Sequence, residues 1–285
     1  MAAVCDRHLP SLEKVKKAAA DAKMDVALYP DFEDFIQHPM DAVILANYAT
    51  EHATYAVRCL NLGLHVLSEC LPCETMAQAV ALIEAVERTG KIYAYAENCC
   101  YMTHAFEMWQ KYQEGTLGEI TYAEGEYIHD CTRMWPGITY GDRNHWRNRM
   151  YATFYCTHSL GPIITATGKR PVQVIGFECP RREKGFEDAA IIQGPGIEMV
   201  TLDNGAVVKS VHGGLTREGA SQWNYQIYCQ NGMMESGRFR EQKNLHMYQE
   251  GPGVCRGTCF SVNQTSSRRK ILLLSCQESC EVKIN

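Results

Sequence analysis

The residues best suited to move a proton are His158, Tyr155, Tyr101 and His129. An imidazole titrates close to neutral pH, and a phenol can pass a proton when its hydroxyl is hydrogen-bonded. Tyr155 stands one helical turn before His158, so a helix through this stretch would present both on one face. Adjacent Trp146 and Arg147 combine a flat apolar ring with a forked donor, which suits a sugar ring and its hydroxyls. Asp6 ends a short apolar run, where an acid binds ribose hydroxyls in nucleotide-binding sheets. Fourteen cysteines include three close pairs, Cys70/Cys73, Cys255/Cys259 and Cys276/Cys280. Others, such as Cys59, Cys156 and Cys229, lie in apolar runs where a thiol packs as a small hydrophobe. Reduced, unpaired thiols are expected. His145 and Asp130 near His129 have no spacing that compels a metal site, and no metal is expected.

The elements that must position these groups change character along the chain. Up to about residue 119, strand and helix patterns alternate. Apolar runs at 2–5, 26–29, 41–46, 65–68 and 91–96 read as strands, with helices predicted between them. The continuous run DAVILA at 41–46 predicts a strand buried on both faces. Thr75 and Gln78 form a capping-box pattern, and Gly90 stops the helix it opens. This rhythm predicts a doubly wound parallel α/β sheet of Rossmann type over 1–119. Its strand ends would carry Asp6, Asn47, Tyr48, Glu69, Glu97 and Asn98 along one edge. From residue 120 to 285 the pattern predicts an α+β domain with a largely antiparallel, open sheet. Asp203-Asn204-Gly205 marks a hairpin, and 152–167 a helix.

The chain has 285 residues, enough for two domains, and a formal charge of −5. With no basic excess, nucleic acid is not an expected partner. No apolar run approaches membrane-spanning length, and a soluble, cytoplasmic protein is expected.

The motifs also appear in a telling order. Val4-Cys5-Asp6-Arg7, the run 41–46, His52, the run Leu62 to Glu69 and the run Glu114 to Glu119 follow one another. Over Ala2 to about Glu235 the sequence resembles the Gfo/Idh/MocA (glucose–fructose oxidoreductase/inositol dehydrogenase/MocA-like) family. Ala96 to Tyr101, His145-Trp146-Arg147 and Tyr155 to His158 are similar to a sugar-oxidising, glycosidase-like branch. The resemblance implies NAD, or alternatively NADP, at the strand edge, contacted by Asp6, Arg7, Asn47, Tyr48, His52, Glu69 and Asn98. It implies a sugar or polyol substrate in the second domain, with His158, Tyr155 and Tyr101 catalytic and His129, Trp146 and Arg147 binding. It further implies a homo-oligomer formed through the second-domain sheet.

Two departures stand out. No GxGxxG occurs, so the first strand and phosphate loop of such a domain are expected to be lacking. Cys70 and Leu71 stand where the family carries a Lys-Pro pair, and that Lys commonly polarises the reacting hydroxyl. The expected activity is oxidation of a carbohydrate hydroxyl. The alternatives are a glycosidase that oxidises its substrate transiently, and a non-catalytic sugar-binding homologue. After Glu235 the match fades, and the tail from Ser266 fits no element of the family.

Overall fold

Residues 1–96 build parallel strands linked by helices. The strand β1 (Ala3–Cys5) leads into α1 (Leu9–Asp21), which carries Pro10 in its first turn, where a missing N–H costs nothing. β2 (Ala27–Tyr29) pairs parallel with β1. Asp31 caps α2 (Phe32–Phe35) by accepting the Glu33 N–H at 2.7 Å. β3 (Ala42–Leu45), α3 (His52–Asn61), β4 (His65–Ser68), α4 (Met76–Thr89) and β5 (Tyr93–Tyr95) continue the alternation, and the three strands pair in parallel. The expected capping box opens α4, and Gly90 closes it in the left-handed conformation.

The expected single sheet is instead two, β1–β2 and β3–β4–β5. β1 and β3 are not hydrogen-bonded neighbours. One core joins the sheets, with Ala3 and Cys5 packed against Phe35, Val43, Leu45 and Leu60. β3 also departs from expectation, because only one of its faces is buried. Val43 and Leu45 point into the core beside α3, whereas Ile44 is 71% exposed.

The computed structural model describes residues 1–131, 133–179, 194–215, 221–239, 242, 245–250, 257–262 and 271–274. It divides between Ala96 and Glu97 rather than after residue 119. The reason is α5 (Thr103–Gln113), which packs within the second unit rather than the first. There follow β6 (Ile120–Ile128), α6 (Trp135–Ile138), α7 (Cys156–Thr167), β7 (Pro171–Glu178), β8 (Gly196–Leu202) and β9 (Val207–Gly213). β10 (Trp223–Cys229), β11 (Gly232–Glu235), β12 (Leu245–Glu250), β13 (Gly257–Val262) and β14 (Ile271–Leu274) complete the sheet. Its order is β14-β13-β12-β11-β10-β6-β9-β8-β7, and β6–β9 is a parallel pair among antiparallel ones.

α5 and α7 pack against each other, and α7 lies on this sheet. The core between them includes Met108, Ile163, Ala166, Val208, Tyr225 and Ile227. Gly125 on β6 lets the α7 backbone come close: a Cβ there would sit 1.9 Å from the Ser159 carbonyl oxygen. Ser159 Oγ meets Ser210 Oγ at 2.8 Å, and Tyr225 Oη donates to the His158 carbonyl at 2.7 Å. Three strands thus fix the first turn of α7, the turn that carries His158.

The hairpin at 203–205 joins β8 to β9 as expected, with Gly205 at φ 87°. The segment 152–167 begins as a 3-10 turn, Ala152–Tyr155, before α7. Where the family match fades, β12, β13 and β14 extend the sheet. Cys255, Cys276, Cys280 and the tail beyond residue 274 lie outside the described residues. The cysteines with described side chains form no disulfide with one another. No helix among the described residues is long and apolar enough to cross a membrane.

Candidate functional sites

In the first unit, the ends of β1, β3 and β4 gather most of the strand-edge residues named from the sequence. Asp6 is anchored by its N–H donating to Tyr29 O at 3.1 Å, and its Oδ1 accepts the His8 N–H at 2.8 Å. The Arg7 guanidinium lies 4.4 Å from the Tyr48 ring centroid and donates to both Glu51 oxygens, at 3.1 and 3.4 Å. Asn47 Nδ2 donates to the same carboxylate at 3.3 Å. Glu51 is a residue that sequence reasoning missed.

His52 is buried rather than presented to a ligand. Its Nδ1 lies 2.8 Å from Leu71 O and its Nε2 3.2 Å from Asn47 O. It therefore ties the turn after β3 to the turn after β4, a positioning task. Glu69 is exposed, and its Oε2 accepts the Cys70 N–H at 3.2 Å. Cys70 Sγ points to Ala96 O at 3.9 Å.

This edge fits half of a dinucleotide. Asp6 keeps Oδ2 for a ribose diol, and Arg7 spread on Tyr48 makes a flat cationic surface suited to a purine. A pyrophosphate needs a glycine-rich turn leading into a helix, and the sequence contains none.

In the second unit, Glu97 and His158 form a buried acid–imidazole pair. Glu97 Oε1 accepts from His158 Nδ1 at 2.7 Å and from the Cys99 N–H at 3.0 Å. Burial alone would raise the Glu97 carboxyl, but the hydrogen bond and charge of His158, helped by Thr157 and the Cys99 N–H, bring it down to about 2. With Nδ1 committed, Nε2 of His158 is the nitrogen left for a substrate, and it has no partner among the described residues. Cys99 Sγ lies 3.6 Å from His158 Nδ1, and burial followed by the Glu97 charge keeps it a thiol.

Aromatic rings wall this pair. Tyr127 meets the His158 ring edge-on at 4.6 Å, and the Tyr155 ring lies 5.5 Å away. Tyr127 Oη and His129 Nδ1 are 2.9 Å apart. Burial pushes the Tyr127 phenol up, and burial lowers His129, so the phenol donates to a neutral ring. Arg147 Nη1 donates to Tyr155 Oη at 2.6 Å while its guanidinium stacks 4.5 Å over Trp146.

The structure thus brings His158, Tyr155, Arg147 and His129 together. Trp146 is 5% exposed, so its ring supports Arg147 and is not an open platform for a sugar. Tyr101 is 80% exposed and lines an open cavity of about 380 Å³ with Met102, Thr103, His104 and Trp223. Asn98 is exposed in the 3-10 turn after Glu97. Glu97, expected at a strand end of the first domain, is instead the partner of His158, and Tyr127 was missed. Tyr127 had a signal, since it and His129 stand two apart on an alternating strand pattern and so share a face.

Residues 1–97 match the family model described as an oxidoreductase family with an NAD-binding Rossmann fold. Among curated relatives, a glycosyl hydrolase family 109 protein 1 of Phocaeicola vulgatus is 31% identical over 170 residues, covering 56% of this chain and 35% of that protein. An alpha-N-acetylgalactosaminidase of Bacteroides fragilis is 32% identical over 130 residues, covering 44% of this chain and 31% of that protein. The chain therefore spans about a third of the length of these relatives. Among solved structures, an aldose-aldose oxidoreductase of Caulobacter crescentus superposes with a TM-score of 0.71 at 18% identity. That match covers 94% of this chain and 76% of the other, and it establishes a shared fold.

Proposed function

We propose, from the premise that residues 1–97 make this chain a member of the Gfo/Idh/MocA oxidoreductase family, that it oxidises a ring hydroxyl of a carbohydrate or polyol with NAD. The observation that carries the reading is the Glu97–His158 pair, which leaves one imidazole nitrogen free. When bound, the dinucleotide supplies the hydride acceptor. As the carbinol C–H electrons leave as hydride, the hydroxyl proton passes to His158 Nε2 and the C–O bond becomes a carbonyl. Glu97 holds the Nδ1–H tautomer and stabilises the imidazolium that forms. Tyr155, held by Arg147, offers its hydroxyl to the same substrate oxygen or its neighbour.

Two observations favour a second reading within this chemistry. Cys70 replaces the family's Lys, and the relatives include proteins named as family 109 glycosyl hydrolases. A ring carbonyl acidifies the neighbouring C–H, so that loss of that proton would expel the aglycone, water would add across the resulting double bond, and reduction of the carbonyl would restore the sugar. An aryl glycoside assayed without and with added NAD separates the two. Aglycone release without added NAD supports the glycosidase; NADH accumulating over intact glycoside supports the dehydrogenase. If neither appears with any of a panel of glycosides, sugars and polyols, the proposal fails.

We also infer that a second copy of this chain covers the open sheet face. Ile175 and Phe177 on β7 and Met199 on β8 are exposed there, with Ile175 opposite Met199. Sedimentation equilibrium is expected to give at least twice the 32.1 kDa chain mass, and a monomer mass at micromolar concentration refutes it.

A further inference from the structure

We infer that Glu51 determines which dinucleotide the first unit accepts, by holding Arg7 so that the edge favours an unphosphorylated ribose. The inference rests on the dinucleotide reading of that edge. Tyr48 and Glu51 belong to one tight turn after β3, closed by the Glu51 N–H donating to Tyr48 O at 2.8 Å. This turn grips the residue that follows Asp6 from two sides. Tyr48 fixes the guanidinium plane and Glu51 occupies its Nη2. Asn47 Nδ2, reaching Glu51 Oε2 at 3.3 Å, orients the carboxylate from a third direction.

The charges then decide the preference. A ribose carrying a 2′-phosphate brings nearly two negative charges and needs a free cation with a bidentate fork. The one guanidinium beside Asp6 already serves a carboxylate, and Asp6 and Glu51 together outnumber it. An unphosphorylated diol brings O–H donors, which Asp6 Oδ2 accepts. The Arg7–Glu51 pair is solvent-exposed, with side chains 60% and 31% accessible, so its contribution to fold stability is small. Its effect belongs to ligand choice.

The test is isothermal titration of the full chain with NAD and with NADP, for the wild type, Glu51→Gln, and the double variant Glu51→Gln/Arg7→Ala. The wild type is expected to bind NAD more tightly than NADP by about tenfold or more. Glu51→Gln should shift the ratio of affinities toward NADP by about tenfold, and Arg7→Ala in that background should abolish the shift. The inference is overturned if Glu51→Gln leaves the ratio unmoved while NAD still binds, or if the shift survives loss of Arg7. If millimolar NAD gives no heat with any of the proteins, the strand-edge reading itself fails and takes the inference with it.

Discussion

If the proposed sugar oxidation holds, replacing His158 with Asn is expected to lower its kcat by about two to four orders of magnitude, the usual worth of a positioned general base. Asn is chosen because its amide still donates to Glu97, so the buried carboxylate keeps a partner. The backbone carbonyl of residue 158 also keeps its bond from Tyr225 Oη, which leaves the α7 anchor in place. Loss of activity without loss of fold is therefore the expected pattern, read as kcat beside the apo melting temperature. Dinucleotide affinity should be unaffected, since no residue of the first unit changes. A His158→Asn protein within about threefold of wild-type kcat would place the base elsewhere, with His129 the next candidate. The same substitution serves both versions of the reaction, because oxidation precedes elimination in the second.

How much of this was legible beforehand depends on the range over which each signal acts. Local chemistry was readable: Thr75, Gln78 and Gly90 set the ends of α4 through contacts within one turn. Tyr155 and His158 do end up as neighbours, although Tyr155 closes a 3-10 turn and caps α7 rather than standing one α-helical turn before His158. β12 had a readable alternation, with Leu245 and Met247 pointing into the core, but no family motif drew attention to it. What the sequence concealed were contacts between distant residues. Glu97 and His158 are 61 positions apart, and Arg7 and Glu51 are 44 apart. Glu97 looked like a strand-end acid of the first domain because α5 follows it in an apparently unbroken strand–helix rhythm. Only the packing of α5 on α7 assigns that acid to the second unit. Trp146 shows the opposite failure. An indole next to an Arg reads as a ligand platform, but the same pair also satisfies itself by stacking.

Glu97→Gln is expected to remove a stabilisation that wild type loses only in acid. The carboxyl is 4% exposed and is held at about 2 in the folded protein, against an ordinary value of 4.5. Folding thus disfavours its protonation, so the stabilisation is complete above pH 4.5 and drains away as pH falls toward about 2. A gap of that size corresponds to about 3 kcal/mol. The Gln side chain can still accept from the Cys99 N–H and from His158 Nδ1, so what it loses is charge rather than contact. At pH 7 the variant should therefore unfold at a lower urea concentration, by about 2–3 kcal/mol of stability. At pH 3 the two proteins should approach each other, because wild type has by then surrendered part of the same term. A difference that stays constant from pH 7 to pH 3 would mean that the Glu97 charge does not stabilise the fold. The kinetic consequence has a separate sign. Without the carboxylate, the imidazolium formed in turnover loses its counter-charge, so kcat should fall by about tenfold or more while KM changes little. A merely structural Glu97 would move stability and leave that kcat-to-KM split untouched.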